Sequence, residues 1–584
     1  MALSAAQMAV GTKRSNPVIY GRFLILIAGL GGLLYGIDVG IIAAALLYLG
    51  KTVSLTVAQT SMIVAAVLGG STISSLIGGF LADWLGRKRM MIGSGLLFVV
   101  SVGMIVSSHG FVLLLLGRLL QGVSGGVIAV VVPLYLAECL SAKSRGQGSA
   151  IFQFMLTVGI VVAALTGLYY TTHAEAAIAA AAGNQVLIYA AENHAWRGMF
   201  LSVIYPGFVF FLGAFFLSES PRWLFRKGRK QETLAALRRS SSEEDAQLQF
   251  REMEELAAES QEKAAVPGAT DSLLRRKYVF PFLLACVILA CNQATGINSI
   301  LAYLVLILRQ AGMSAAHSTQ GDFAVKLLNC VMTIVAVALI DRRGRKFLLT
   351  LGTAGIVVAL TFVGFSFHRV ESQHTDVKAQ MQAAVKDNAL TIPISEVRAE
   401  SGIEQTRASV LTVLYSYGDG ERVASVLSDD KDPVLRIEPE TKQTSSQSQT
   451  PAPLIIERAT CGPVPSGMTG WLITVGIALF IASYSVGPGV VVWLTLSELM
   501  PTRIRSAGMG IALLLNQGVS TLIAGIFLPV VGHHGYYAMF LFWAGCTVVY
   551  FVTAAFFLPE TKGKTLEEIE RYFDADRHAQ SQTT

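Results

Sequence analysis

The sequence predicts an all-α integral membrane protein of twelve spans, built as an internal duplication. Two observations carry this. The 584 residues are 53% hydrophobic and only 14% charged, with mean hydropathy +0.55, whereas an ordinary soluble domain is about a quarter charged. The same short motif also appears twice: Asp83-Trp-Leu-Gly-Arg-Lys and Asp341-Arg-Arg-Gly-Arg-Lys each fill a gap between long apolar runs. A second pair follows, with Glu138 and Arg145, and then Glu498 and Arg505, each seven residues apart after an apolar run. Repeats of this kind are a transporter signature.

Twelve apolar runs are long enough to approach the roughly 20 residues that cross a bilayer. They cover 22–49, 58–82, 90–108, 111–137, 147–170, 197–217, 279–311, 322–340, 347–367, 468–496, 506–531 and 536–558. The first is too long for a cleavable signal peptide. Lys and Arg of the short loops collect on one side, including Arg87, Lys88, Arg145, Arg345, Lys346 and Arg505. The positive-inside rule therefore places the repeated motifs and both termini in the cytoplasm. The net charge of +6 is topological and does not point to a nucleic-acid partner.

The spacing of the repeats locates two insertions. The Glu138–Glu498 interval exceeds the Asp83–Asp341 interval by about 100 residues, and the Glu219–Glu560 interval by about 20. The larger insert is the polar stretch 368–467, with helical patterning at 374–388 and 393–427 and a linker-like Thr444-Ser-Ser-Gln-Ser-Gln-Thr-Pro-Ala-Pro. Composition favours a solvated outer loop there. The smaller insert is the Ala-rich outer loop 171–196. The division is then a first six-span unit at 1–217, a cytoplasmic linker at 218–278 with short helices around 230–240 and 243–264, a second six-span unit at 279–558, and a tail at 559–584. Of six cysteines only Cys461 lies in an outer segment, so no extracellular disulfide pair and no Cys/His metal spacing is read.

Polar residues inside the spans carry the functional signal. Asp38 lies deep in the first span, where a carboxylate must be paired, hydrated or protonated, and Arg118 of the fourth span is its natural cation. Burial and a nearby cation pull such a group in opposite directions, so a changing environment can load and release a proton. A static helix-holding pair is the alternative. In the seventh span, Asn292 and Gln293 precede Gly296, and Asn298 follows it. Amides on a broken helix offer both donors and acceptors and suit a hydroxyl-rich ligand, although single amides also glue helices together. Gln153, Asn329 and Asn516 add further amides, and Trp493 offers an aromatic face beyond Gly487-Pro-Gly. Lys326, three residues before Asn329, either snorkels to the outer surface, the favoured reading, or enters the cavity as a second ion or acidic-substrate contact.

These residues together resemble the sugar porter family of the major facilitator superfamily. The resemblance rests on Asp83-Trp-Leu-Gly-Arg-Lys, Gly117-Arg118, Pro133-Leu-Tyr-Leu-Ala-Glu138, Arg145-Gly146, Ser218-Glu-Ser-Pro-Arg-Trp-Leu, Gln293-Ala-Thr-Gly-Ile-Asn298, Asp341-Arg-Arg-Gly-Arg, Gly487-Pro-Gly and Pro559-Glu-Thr-Lys-Gly. It covers nearly the whole chain except 171–196 and 368–467. It implies two pseudo-symmetric six-helix bundles around a central cavity. It also implies sugar contacts at the positions of Gln153, Gln293, Asn298, Asn329 and Trp493, and proton symport marked by Asp38. The chain departs from the family pattern at Asn292, Ala302, Gln517 and Lys326, so a pentose, polyol, inositol or acidic sugar is as open as glucose. The expected partners are a small sugar or polyol and the lipid bilayer, with the proton as coupling ion and no other cofactor. The expected location is a plasma or bacterial inner membrane, with the chain acting as a monomer.

Two cytoplasmic charge networks are expected to gate access. Asp83, Arg87, Glu138, Arg145 and Glu219 form one; Asp341, Arg345, Glu498 and Arg505 form the other. Rival readings are a passive uniporter and a non-transporting sugar sensor. An enzyme is disfavoured, since no nucleophile–base pair or phosphate loop appears.

Overall fold

The computed structural model describes residues 17–140, 142–264, 276–400, 402, 408–429, 433–439, 452–501, 504–562, 568 and 573. Among them, twelve helices are long and apolar enough to cross a membrane. The first half contributes Pro17–Thr52, Val57–Leu85, Arg87–Ser107, Phe111–Cys139 and Ala142–Ala180. Its sixth span is the pair Gln185–Ser202 and Ile204–Phe215. The second half begins with the broken span Arg276–Ala294 and Ile297–Gln310, followed by Ala315–Arg343 and Arg345–Glu371. Its tenth span is broken into Gly467–Val486 and Pro488–Leu499, and Arg505–His534 and Tyr536–Val552 complete it.

Within lipid there is no hydrophobic drive between helices, so small residues decide how closely they pack. Gly32, Gly36 and Gly40 lay the first span directly on the fifth; a methyl group at Gly36 would run into the Leu156 carbonyl. The outer half of the first span, Ile41 to Leu49, is buried throughout. Between the halves, contacts run from mid-membrane to the side opposite the repeated motifs. Thr72 meets Thr521 at 3.4 Å, Thr157 meets Cys330 at 3.5 Å, and the Leu528 amide donates to Ser61 at 3.3 Å.

The linker holds Lys230–Ser240 and Glu243–Ala264, where short helices were read, and adds Pro221–Arg226. The stretch 171–196 is not a loop. The fifth and sixth spans continue as helices past the side opposite the repeated motifs and join at a turn with positive φ at Ala182 and Gly183. Alanine is the best helix former, and the extension is tied to the first span by Lys51–Glu192 at 2.7 Å and by Trp196 donating to Thr52 at 2.8 Å.

The larger insert is folded, contrary to the solvated loop expected. Strands β1 (Thr375–Asp376), β6 (Ile455–Pro463), β3 (Ser409–Ser416) and β4 (Glu421–Leu427) form an antiparallel sheet in that order. Strands β2 (Leu390–Pro393) and β5 (Val434–Ile437) pair beside it. The helical patterning assigned to 393–427 holds only for Ile394–Glu400; 409–427 is a hairpin. Val377, Met381, Leu390, Leu411, Val413 and Ile456 form a core of its own. Cys461 is free and buried there, and burial pushes its thiol pKa up, which keeps it unreactive. The linker-like residues 444–450 lie outside the described residues. The insert rests on both halves: Gly420 abuts Thr56 at the start of the second span, and Arg458 donates to the Gly532 carbonyl of the eleventh at 3.0 Å.

Candidate functional site

Asp38 and Arg118 meet in the first half. An Arg118 Nη1 donates to Asp38 Oδ1 at 3.2 Å and to Gln121 Oε1 at 2.7 Å, and the guanidinium lies 5.5 Å from the Phe200 ring centre. Both side chains are buried. Asp38 Oδ2 has no hydrogen-bond partner among the described residues. The carboxylate is therefore held by one long bond and keeps one oxygen open, which is the arrangement a proton acceptor needs. A pair built only to hold helices would do better with the fork-to-fork geometry available to arginine.

The seventh span breaks where the sequence places Gly296. Its φ is +81°, a conformation that L side chains rarely adopt, and a Cβ there would sit 2.3 Å from the Trp543 ring. The break turns two amides, Gln293 and Asn298, toward the eleventh span. Gln293 Nε2 donates to Asn516 Oδ1 at 3.2 Å, and Asn298 Nδ2 donates to Gln293 Oε1 at 3.0 Å and to Ser520 Oγ at 2.8 Å. Asn516 in turn donates to the Leu289 carbonyl at 3.0 Å. Asn329 of the eighth span accepts from Ser485 of the tenth at 2.8 Å. Asn292 is fully buried beside Tyr484. Amides that satisfy one another can exchange these bonds for hydroxyls at little net cost, since each side of the exchange makes the same number of bonds.

Gln293, Asn298 and Asn516 thus stand in one network, Asn329 in a separate contact, and Gln153 half-buried on the fifth span in the other half. The side chain of Trp493 lies outside the described residues. Sequence reasoning missed Ser520, Ser485 and the ring stack behind the break. There Tyr303 stacks on Phe527 at 4.4 Å and Phe527 on Trp543 at 5.7 Å. It also missed Asp322. Lys326 does not snorkel: its side chain is fully buried and pairs with Asp322 at 2.8 Å, one helical turn away. The i, i+4 spacing was readable as an ion pair.

The repeated motifs build matching structures. Gly86 and Gly344 both take positive φ and open the third and ninth spans. Glu219 accepts from the Arg87 and Lys88 amides at 2.8 and 3.1 Å; Glu560 accepts from the Arg345 and Lys346 amides at 3.0 and 3.2 Å. Each carboxylate thereby satisfies the free N–H groups at a helix N-terminus. Arg87 then pairs with Glu138 and Asp83, both at 2.8 Å, and Arg345 with Glu498 at 3.3 Å. Ser220 donates to Glu138, and Thr561 to Glu498. Arg226 of the linker joins the first network at 3.1 Å from Glu138. Among the described residues, each of these contacts joins groups of one half or its linker. The side chains of Arg145, Asp341 and Arg505 lie outside the described residues.

Comparison with known proteins agrees with this architecture. The family model described as sugar (and other) transporter matches residues 24–385 and 454–573, leaving out most of the folded insert. The chain is 26% identical to the proton myo-inositol cotransporter hmit-1.1 of Caenorhabditis elegans, over 98% of this chain and 93% of the relative. It is also 26% identical to the glucose transporter GlcP of Staphylococcus epidermidis, over 94% and 96%. The xylose transporter XylE from E. coli, in a partially occluded inward open conformation, superposes with a TM-score of 0.63 at 18% identity, covering 94% of this chain and 99% of that one. With the twelve spans, the paired motifs and the family match in place, this chain belongs to the sugar (and other) transporter family and is a multi-pass membrane transporter.

Proposed function

We propose that the protein carries a monosaccharide or polyol together with a proton, by alternating access, with both termini in the cytoplasm of a plasma or bacterial inner membrane. The observation that carries this reading is the buried Asp38, tethered to Arg118 by a single 3.2 Å bond and with one oxygen open. Protonation of Asp38 breaks its ion pair and leaves Arg118 on Gln121, which loosens the first span from the fourth and lets the loaded carrier turn over. The Gln293–Asn298–Asn516 network, with Gln153, Asn292, Asn329 and Trp493, receives the hydroxyls. The half-confined networks around Glu138 and Glu498 keep each bundle rigid at its cytoplasmic end while the two bundles rock. No cofactor beyond the proton is invoked, and a single chain holds every residue named.

The expected behaviour of Asp38→Asn tests the coupling. A fixed neutral side chain mimics the protonated state, so the variant retains sugar counterflow in proteoliposomes and loses accumulation driven by an imposed pH gradient. The sugar is first chosen from a counterflow panel of hexoses, pentoses, polyols and uronic acids. Gradient-driven accumulation by Asp38→Asn equal to that of the wild type would favour the passive reading.

A further inference from the structure

The Asp322–Lys326 pair is used neither by the coupling site nor by the amide network. Both side chains are buried, Lys326 at 0% and Asp322 at 2% exposure, and the ammonium lies 2.8 Å from Asp322. An ammonium has three protons to donate. Asp322, on the same helix, takes one. A second goes across the molecule: Lys326 Nζ donates to the backbone carbonyl of Gly40 at 3.1 Å. Lys326 belongs to the eighth span, in the second half, and Gly40 to the first span, two residues beyond Asp38. The bond therefore crosses the seam between the halves, one helical turn outward of Asn329.

We propose that Lys326, neutralised by Asp322, is a positioning residue that latches the outer seam shut through the Gly40 carbonyl. Other polar contacts across this seam, Thr72–Thr521, Thr157–Cys330, Ser61–Leu528, Ser61–Tyr303 and Tyr35–Gln517, join neutral groups. A hydrogen bond from a charged donor is roughly twice as strong as a neutral one, so the Lys326 bond dominates this set. Asp322 makes the latch possible, because an unpaired ammonium at this depth would be strongly disfavoured. Opening the outer side must part Lys326 from Gly40. Water that enters the opened seam then solvates the ammonium, while Asp322 keeps it from drifting onto an arriving ligand. The position next to Asp38 places the latch where movement of the first span is felt.

Distances between spin labels test this without any assay of transport, so failure here is distinguishable from failure of the symport reading. Val186 and Met468 are exposed at the outer ends of the sixth and tenth spans. Labels at Val186→Cys and Met468→Cys, in a background lacking the native cysteines, report the separation of the halves. In Lys326→Met/Asp322→Asn, the population at longer, outward-open distances is expected to rise about tenfold over the wild type, the ratio expected when a charge-assisted bond is lost. Should that variant not be recovered from the membrane, Lys326→Gln carries the same test. Its shorter amide can stay on Asp322 but does not span to Gly40, so the same rise is expected. A distance distribution unchanged from wild type in either folded variant overturns the proposal.

Discussion

Gly296→Ala is expected to abolish transport and to lower the melting temperature of the purified protein. Two costs add. A left-handed backbone disfavours an alanine by about 1–2 kcal/mol, and the new methyl group meets the Trp543 ring at 2.3 Å. Relieving such an overlap in a packed core costs about 1–3 kcal/mol. Trp543 has little room to yield, because it is buried and stacked on Phe527, which is itself stacked on Tyr303. The consequence reaches function directly: the same break sets the angle between Gln293 and Asn298. A second substitution separates the two effects. Trp543→Phe in the Gly296→Ala background is expected to recover part of the stability but little transport, since the backbone conformation stays wrong. Wild-type transport by Gly296→Ala would mean that the break is not what orients the amides.

Arg87→Ala is the other substitution with a large expected effect. Arg87 is 1% exposed and Glu138 8%, so removal of the guanidinium leaves a carboxylate largely buried without its main partner. Breaking such a pair from one side costs about 3–5 kcal/mol. Arg226 also reaches Glu138, but it is half exposed and contributes far less. The melting temperature of Arg87→Ala in detergent should therefore fall sharply, and Arg87→Ala/Glu138→Gln should recover much of the loss because the stranded charge is gone. Equal melting of the single and double variants would show that charge burial is not what the pair manages. The corresponding Arg345→Ala is expected to be milder, since Arg345 and Glu498 are 14% and 22% exposed and 3.3 Å apart.

Much of this architecture was legible in the residues, and for identifiable reasons. Spans are set by length and hydropathy, which the bilayer enforces, so the runs and the helices agree within a turn or two in most cases. The break at Gly296 was legible because a glycine flanked by amides has few other uses inside lipid. The Glu219 and Glu560 contacts were harder to foresee. Only the structure reveals that these carboxylates sit on the first amides of the helices that follow Gly86 and Gly344, even though both residues were placed as equivalents by spacing.

The misreadings are as instructive. Helical patterning over 393–427 competes with a second pattern at its end: Val410, Leu411, Val413 and Tyr415 precede Gly418-Asp419-Gly420, and Val423 and Val426 follow it. Branched and aromatic residues on either side of a Gly-Asp-Gly turn are a hairpin signal; low mean hydropathy of the whole insert hid it. Nearness to the outer end of the eighth span favours snorkelling for Lys326, whereas Asp322, four residues earlier on the same helix face, is the neighbour that pairs with it. An ionisable residue inside lipid is better read by its i, i+4 neighbours than by depth alone.

The folded insert changes how the outer face is pictured. It has its own core, lies largely outside the family match, and touches the second span through Gly420 and the eleventh through Arg458 and His533. Those two spans belong to different halves, so a rocking motion must either carry the insert with one half or break its contacts with the other.

Symport through Asp38 requires that sugar and proton move together. Purified wild-type protein in proteoliposomes, with an enclosed pH-sensitive dye and labelled sugar, measures both fluxes at once. With symport, adding sugar outside drives protons inward, and a membrane potential of about 100 mV, inside negative, sustains roughly fiftyfold accumulation, the equivalent of ~2.3 kcal/mol per charge. Sugar entry that moves no protons and stops at equal concentrations on the two sides would contradict it.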